Sequence, residues 1–322
     1  MDSISFEELQ AHFQELYQQG EYGEALQFLE GSGESYPEYA HLLAYWKMAL
    51  STRLGENDQA LDHLEALLKT GFWYGETLLR KTPAFQPLQG QERFEKLVEL
   101  SRRLRLSDPD QKYPLLVLHS EGQCLSGGPL CPLALALHAN AGLATDSLAF
   151  WQPIAKSGWL VGVPQSSQAM WKGAYIWDDR QETKQEIQKH YLAMREQYAV
   201  DTNRILLAGH SMGGEMAIEL ALTNVIPARG FIAIGPGGPW MDDLSNWQPV
   251  INNYSGGDLR GYILAGQEDT SIPHDNIEAL AEMFNLAGIP VDLEEIPHAG
   301  HDFSPEYEAA ILRALAFVDP ER

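Results

Sequence analysis

Over the first hundred residues the apolar side chains recur at helical spacing, as in Leu9, Phe13 and Leu16, then Leu26 and Leu29. The stretch "GEYGEALQFLE" from Gly20 lines up with "GENDQALDHLE" from Gly55, the two sharing G-E-x-x-x-A-L-x-x-L-E. Gly90, in "GQERFEKLVEL", follows another 35 residues on. Each unit reads as a helix pair with a glycine at the turn, in which a small residue, Ala25 or Ala60, lets the two helices approach closely. The segment "RRLRLSDPDQKYP", 102–114, reads as helix exit and linker, because Pro109 and Pro114 end helical structure.

From Tyr113 the pattern changes. The runs "PLLVLHS" and "PLALALH", joined through "SGGP", predict a strand pair at the front of a sheet. The strands "WLVGVP", "RILLAG", "GFIAIGP", "RGYILAG" and "VDLEEIP" then alternate with the amphipathic helices "TDSLAFWQPIAKSG", "RQETKQEIQKHYLAMREQY", "GEMAIELALT", "NIEALAEMFNLAG" and "EYEAAILRALAFV". Such alternation predicts an α/β domain with a mostly parallel sheet covered by helices on both faces. The expected organisation is an all-α helical repeat domain, 1–108, followed by the α/β domain, 109–322. Chemistry in such sheets sits outside the carboxyl ends of the strands.

Composition narrows the function. With 322 residues, 44% hydrophobic, the chain can bury a sizeable core, and its net charge of −23 opposes binding to nucleic acid or anionic membranes. The start "MDSISFEELQ" lacks a basic segment followed by an apolar one, and no apolar run approaches a membrane span. The expectation is a soluble cytoplasmic protein in which Cys124 and Cys131 are thiols, small buried hydrophobes beside a turn.

The order strand, "GHSMG", helix is that of a nucleophile elbow centred on Ser211. A side chain at Gly209 or Gly213 would clash as the chain reverses, and the N–H of Met212 at the helix start can receive a developing oxyanion. A serine needs a base within reach and an acid to orient it, in the chain order serine, acid, histidine. Asp269 follows the strand "GYILAG" and His301 follows "DLEEIP", with Glu268 and His298 as rivals. No lysine follows Gly214, so a phosphate-loop reading fails. His298, His301 and Asp302 lack a second cluster with ligand spacing, so neither metal nor cofactor is expected.

Through "LALALHANAG", "GVPQSSQ", "NRILLAGHSMGGEMA", "LAGQEDTSIP" and "HAGHDF", residues 113–319 resemble the α/β-hydrolase family, in particular its carboxylesterase and phospholipase-like branch. The resemblance implies Asp269 as acid, His301 as base and the N–H of Asn140 as second oxyanion donor, with Ala139 where a glycine is usual. The earlier "LHSEG" is a competing look-alike, one strand too early. The glycine-turn units resemble tetratricopeptide repeats, which implies a possible protein partner for residues 1–108. Trp171, Trp177 and Trp240 lie in loops at the expected catalytic edge, where they line a substrate pocket or pack under a long loop. The stretch 237–258 is long enough for a small lid. The function expected is a serine hydrolase acting on a small-molecule carboxylic ester. The alternatives are a thioesterase or peptidase with the same triad, or a partner-binding protein on a hydrolase scaffold.

Overall fold

The computed structural model describes residues 4–30, 35–119 and 124–320. The chain divides into two units, Met1–Gln111 with Ala169–Lys172, and Lys112–Gln168 with Gly173–Arg322.

The first unit is helical: α1 (Phe6–Gln19), α2 (Tyr22–Glu30), α3 (Ala40–Arg53), α4 (Asn57–Lys69), α5 (Glu76–Lys81) and α6 (Glu92–Ser107). Helix α1 begins with a reciprocal capping box between Ser5 and Glu8. Gly20, Gly55 and Gly90 all adopt left-handed φ, 80°, 80° and 78°, just ahead of α2, α4 and α6. That is the conformation in which glycine replaces any other residue at least cost. Ala25 and Ala60 are fully buried between helices, and the periodic Leu9, Phe13, Leu16, Leu26 and Leu29 form one core cluster with Leu43 and Leu50.

The second unit is built on a seven-stranded sheet. Its strands are β1 (Leu115–Leu118), β2 (Cys131–Leu137), β3 (Leu160–Pro164), β4 (Val200–His210), β5 (Gly230–Ile234), β6 (Arg260–Gly266) and β7 (Val291–Ile296). The spatial order is β1-β3-β2-β4-β5-β6-β7, parallel throughout except for β1 against β3. Between and after the strands run α7 (Leu148–Lys156), α8 (Arg180–Gln197), α9 (Met212–Leu222), α10 (Pro239–Asp242), α11 (Trp247–Asn252), α12 (His274–Leu286) and α13 (Glu306–Val318). Alternate strand residues serve opposite faces: Leu133, Leu135 and Leu137 pack with α8, α9 and α12, while Ala134 and Ala136 pack with α7 and α13. The 237–258 stretch carries two short helices, α10 and α11.

Two expectations are corrected. The runs at 115–118 and 131–137 do not pair as a hairpin, because β3 lies between them. The burial explains this: every residue of β2 is buried, with parallel partners on both sides, whereas β1 is half-exposed throughout, as suits an edge strand. Cys124 and Cys131 are not thiols but are joined as a disulfide, Cα–Cα 5.4 Å, so the "LSGGPL" loop closes on itself. The look-alike "LHSEG" begins at Leu118, the end of β1, and from position 120 on lies outside the described residues.

Candidate active site

Strand β4 ends at His210 and α9 begins at Met212, leaving Ser211 alone at the reversal. Its φ of 54° is a strained value for a residue with a side chain. The glycines beside it permit the crossing. A Cβ on Gly209 would lie 2.0 Å from the carbonyl oxygen of Gly213, and one on Gly213 would lie 2.4 Å and 2.5 Å from those of Leu137 and His138. The Ser211 N–H donates to the Ile234 carbonyl at the end of β5 (2.9 Å). Its own carbonyl accepts from the N–H groups of Gly214, Glu215 and Gly237.

Asp269 and His301 meet from the loops after β6 and β7. His301 Nδ1 donates to Asp269 Oδ2 at 2.7 Å, and the Ser271 N–H donates to Asp269 Oδ1 at 2.8 Å. The carboxylate is almost wholly buried, 3% exposed. With Nδ1–H committed to the acid, Nε2 of His301 is the ring atom left to take a proton, a tautomer assigned from these partners. Both groups pack against Gly235, directly after Ile234: a Cβ there would lie 3.3 Å from Asp269 Oδ2 and from His301 Nδ1. Elbow, carboxylate and imidazole therefore converge on the end of β5. The rivals pair with each other instead, His298 Nδ1 to Glu268 Oε1 at 3.3 Å, with both side chains exposed to solvent.

His210, beside the serine, was not singled out from the sequence. Its Nε2 donates to the carbonyl of His301 (2.7 Å), and their rings lie 4.8 Å apart. Burial and the neighbouring His301 push its pKa down to about 4, so it is neutral and holds the histidine loop as a hydrogen-bond donor.

Met212 is the first residue of α9, where N–H groups lack intrahelical acceptors. The contact of Gly213 with the end of β2 sets this turn against the 138–142 loop that carries Asn140. Asn140 itself is exposed, in a turn closed by the Gly142 N–H on the Ala139 carbonyl (3.2 Å). The residue of positive φ in that loop is Ala141, at 54°, not Ala139. His138 anchors the loop from beneath. Its Nδ1 donates to the Ala139 carbonyl, while Nε2 accepts from the Ser166 N–H and from Gln165 Nε2. Burial depresses its pKa to about 4.

The three tryptophans are not brought together as one wall. Trp177 is buried and donates from Nε1 to the His138 carbonyl (2.9 Å), so it serves the loop. Trp171 belongs with the helical unit, its ring 5.6 Å from His41. Trp240 is half-buried, stacked 3.9 Å over the Arg180 guanidinium and edge-on to Trp247. Behind it lies a buried ion network that the sequence reading missed. Glu215, one turn after Ser211, accepts from the N–H groups of Trp240 and Met241 and from Arg180. Arg180 also reaches Glu219, which pairs with Lys184. Burial raises the pKa of Glu215, with Arg180 opposing.

Among the described residues, no group of three or more His, Cys, Asp or Glu is placed to hold a metal ion. No helix among them is long and apolar enough to cross a membrane.

Comparisons with known proteins follow the division of the chain. Residues 6–107 match the model of a family described as the A/B hydrolase-like N-terminal domain, not a tetratricopeptide family. Residues 146–316 match the dienelactone hydrolase family. No curated protein matches the sequence. Among solved structures, an uncharacterized protein from Bacillus cereus ATCC 10987 aligns over 99% of this chain and 100% of its own, at 20% identity and a TM-score of 0.52. The esterase PE8 aligns over 63% of this chain and 99% of its own, at 16% identity and a TM-score of 0.51. A dienelactone hydrolase-like promiscuous phosphotriesterase from metagenomic libraries covers 65% of this chain and 98% of its own, at 14% identity and a TM-score of 0.50. Identities this low speak for the fold alone. The family match takes in more than half of the residues, from α7 into α13, a stretch that carries Ser211, Asp269 and His301, and by it the chain belongs to the dienelactone hydrolase family, a hydrolase of α/β-hydrolase fold.

Proposed function

We propose that this hydrolase cleaves carboxylic esters, with Ser211 as nucleophile, His301 as general base and Asp269 as the acid that orients it. Ser211 Oγ attacks the ester carbonyl while His301 Nε2 takes its proton. The N–H groups of Met212 and Asn140 receive the negative oxygen of the tetrahedral intermediate. The imidazolium returns the proton to the leaving alcohol, and an acyl-serine remains. Water then attacks that acyl group, deprotonated by His301, and the acid is released with the serine restored. The observation that carries this reading is the 2.7 Å bond between His301 Nδ1 and Asp269 Oδ2 beside Gly235, next to the strand end on which Ser211 is bonded. Of the tryptophans, we propose Trp240 as a pocket residue. We also take residues 1–108 and 109–322 as separate folding domains.

A fluorophosphonate probe tests the nucleophile. It should label the wild-type chain and not Ser211→Ala; labelling that survives the substitution overturns the assignment. A panel of short and long p-nitrophenyl esters with acyl-CoA thioesters then reads the substrate class. Turnover of thioesters alone would replace the ester reading.

A further inference from the structure

A cavity of about 570 Å³ opens at the other end of the sheet, where β4, β5 and β6 begin rather than where Ser211 and Asp269 follow strands. That volume is within the usual range of ligand sites. Arg204, Arg229 and Arg260 all line it, in a chain whose net charge is −23.

Their partners differ. Arg204 is spent on Asp319, to which it donates from Nε (3.2 Å) and Nη2 (2.5 Å). Arg260 donates from Nη1 to the Phe317 carbonyl (3.3 Å) and lies over the Phe317 ring, and Arg229 is exposed. Neither Arg229 nor Arg260 has a carboxylate partner among the described residues. The two are neighbours, because the Arg260 N–H donates to the Arg229 carbonyl (3.1 Å). Like charges on adjacent strands repel, and an anion between them turns that repulsion into two attractions. The opposing charge on the lining is Asp258, exposed at the rim, besides the committed Asp319.

Two further features fit a built site. Trp159 lines the cavity, and the Arg204 guanidinium lies 5.5 Å over its ring. The wall formed by 254–258 is held in shape by Tyr254, whose hydroxyl donates to the Gly257 carbonyl (3.1 Å). Its ring lies so close under Gly256 that a Cβ there would come within 2.6 Å.

We infer that this cavity binds a small multivalent anion through carboxylate or phosphate groups held between Arg229 and Arg260, apart from the ester site. Guanidinium forks suit both kinds of oxyanion. Isothermal titration calorimetry of the full chain with pyrophosphate and, separately, citrate at low salt tests it. The expected result is saturable one-to-one binding of at least one of them, weakened about tenfold or more in Arg229→Gln/Arg260→Gln. The control Arg195→Gln/Arg313→Gln, which removes the same charge elsewhere, should keep wild-type affinity. Binding of pyrophosphate alone identifies a phosphate ligand, and of citrate alone a carboxylate. Should the double variant fail to fold by circular dichroism, the single exposed Arg229→Gln carries the same expectation at a smaller loss. No saturable heat from either anion below about 10 mM, or equal losses in the control, overturns the proposal.

Discussion

Replacing Asp269 by Asn separates the acid from its rival more sharply than any other change. The carboxylate is held at both oxygens, Oδ2 by His301 Nδ1 and Oδ1 by the Ser271 N–H. An asparagine keeping its oxygen on the Ser271 N–H must turn its NH₂ toward Nδ1. Two donors cannot face each other, so the neutral imidazole moves its proton to Nε2, the atom required to accept the serine proton. The wrong tautomer and the lost stabilisation of the imidazolium together should lower kcat by roughly 10³–10⁴, or about 4–5.5 kcal/mol, with KM little changed. Glu268→Gln alters only an exposed 3.3 Å pair with His298 and should change kcat by less than about twofold. The assay is steady-state hydrolysis of a p-nitrophenyl ester by the two variants side by side. Equal small losses, or a larger loss at Glu268, would refute the arrangement.

Gly235→Ala puts a Cβ 3.3 Å from both Asp269 Oδ2 and His301 Nδ1 at a φ of +47°, and should cut kcat by about 10- to 100-fold while probe labelling of Ser211 persists at a slower rate. Glu215→Ala leaves two buried N–H groups without their acceptor and Arg180 with Glu219 alone, and denaturant titration should read a loss of about 2–4 kcal/mol; a loss below about 1 kcal/mol would dismiss the network as a support. His138 and His210 are held neutral with pKa values near 4, against about 6.5 in the unfolded chain, so the unfolded state binds more protons between those values. Stability is therefore full above about pH 6.5 and falls as pH drops toward 4, by about 2 kcal/mol per histidine between pH 7 and 5. Thermal melts of wild type, His138→Gln and His210→Gln across that range should show the slope shrinking in each variant.

The fold was legible where each strand is a short apolar run and each helix has a clear amphipathic period; the terminal helix "EYEAAILRALAFV" coincides with α13, Glu306–Val318. Strand order was not, since nothing in the run 115–118 tells whether its partner lies at 131 or at 160. The disulfide is not legible in the sequence, because cysteine pairing follows from spatial approach and compartment rather than from two positions seven residues apart. Ser211, Asp269 and His301 could be picked out because they follow strand ends, and the structure does bring Asp269 rather than Glu268 to His301. The supports were harder. His138, Gln165 and His210 look like ordinary core or loop residues until their partners, 27 to 91 positions away, are known. Glu215 and Glu219 did leave a trace: two carboxylates one turn apart in the apolar helix "MGGEMAIELAL", matched by Arg180 and Lys184 at the same spacing on α8. Buried carboxylates require such partners, so the matched spacing was evidence of a contact between those helices.

That network bears on how the elbow holds its strain. A positive φ at a serine costs about 1–3 kcal/mol and persists only where surrounding structure over-determines it. Ser211 is fixed through its N–H on β5, and through its carbonyl by α9 and by Gly237, so three elements must move together for it to relax. Glu215 ties two of them. Its backbone N–H bonds the Ser211 carbonyl, while its carboxylate holds the N–H groups of Trp240 and Met241 in the segment that Gly237 leads into. Arg180 closes the circuit by neutralising that carboxylate from α8 and stacking on Trp240. The buried charge pair thus acts at a distance from any reacting atom, by denying the serine turn the freedom to fall back into an ordinary conformation.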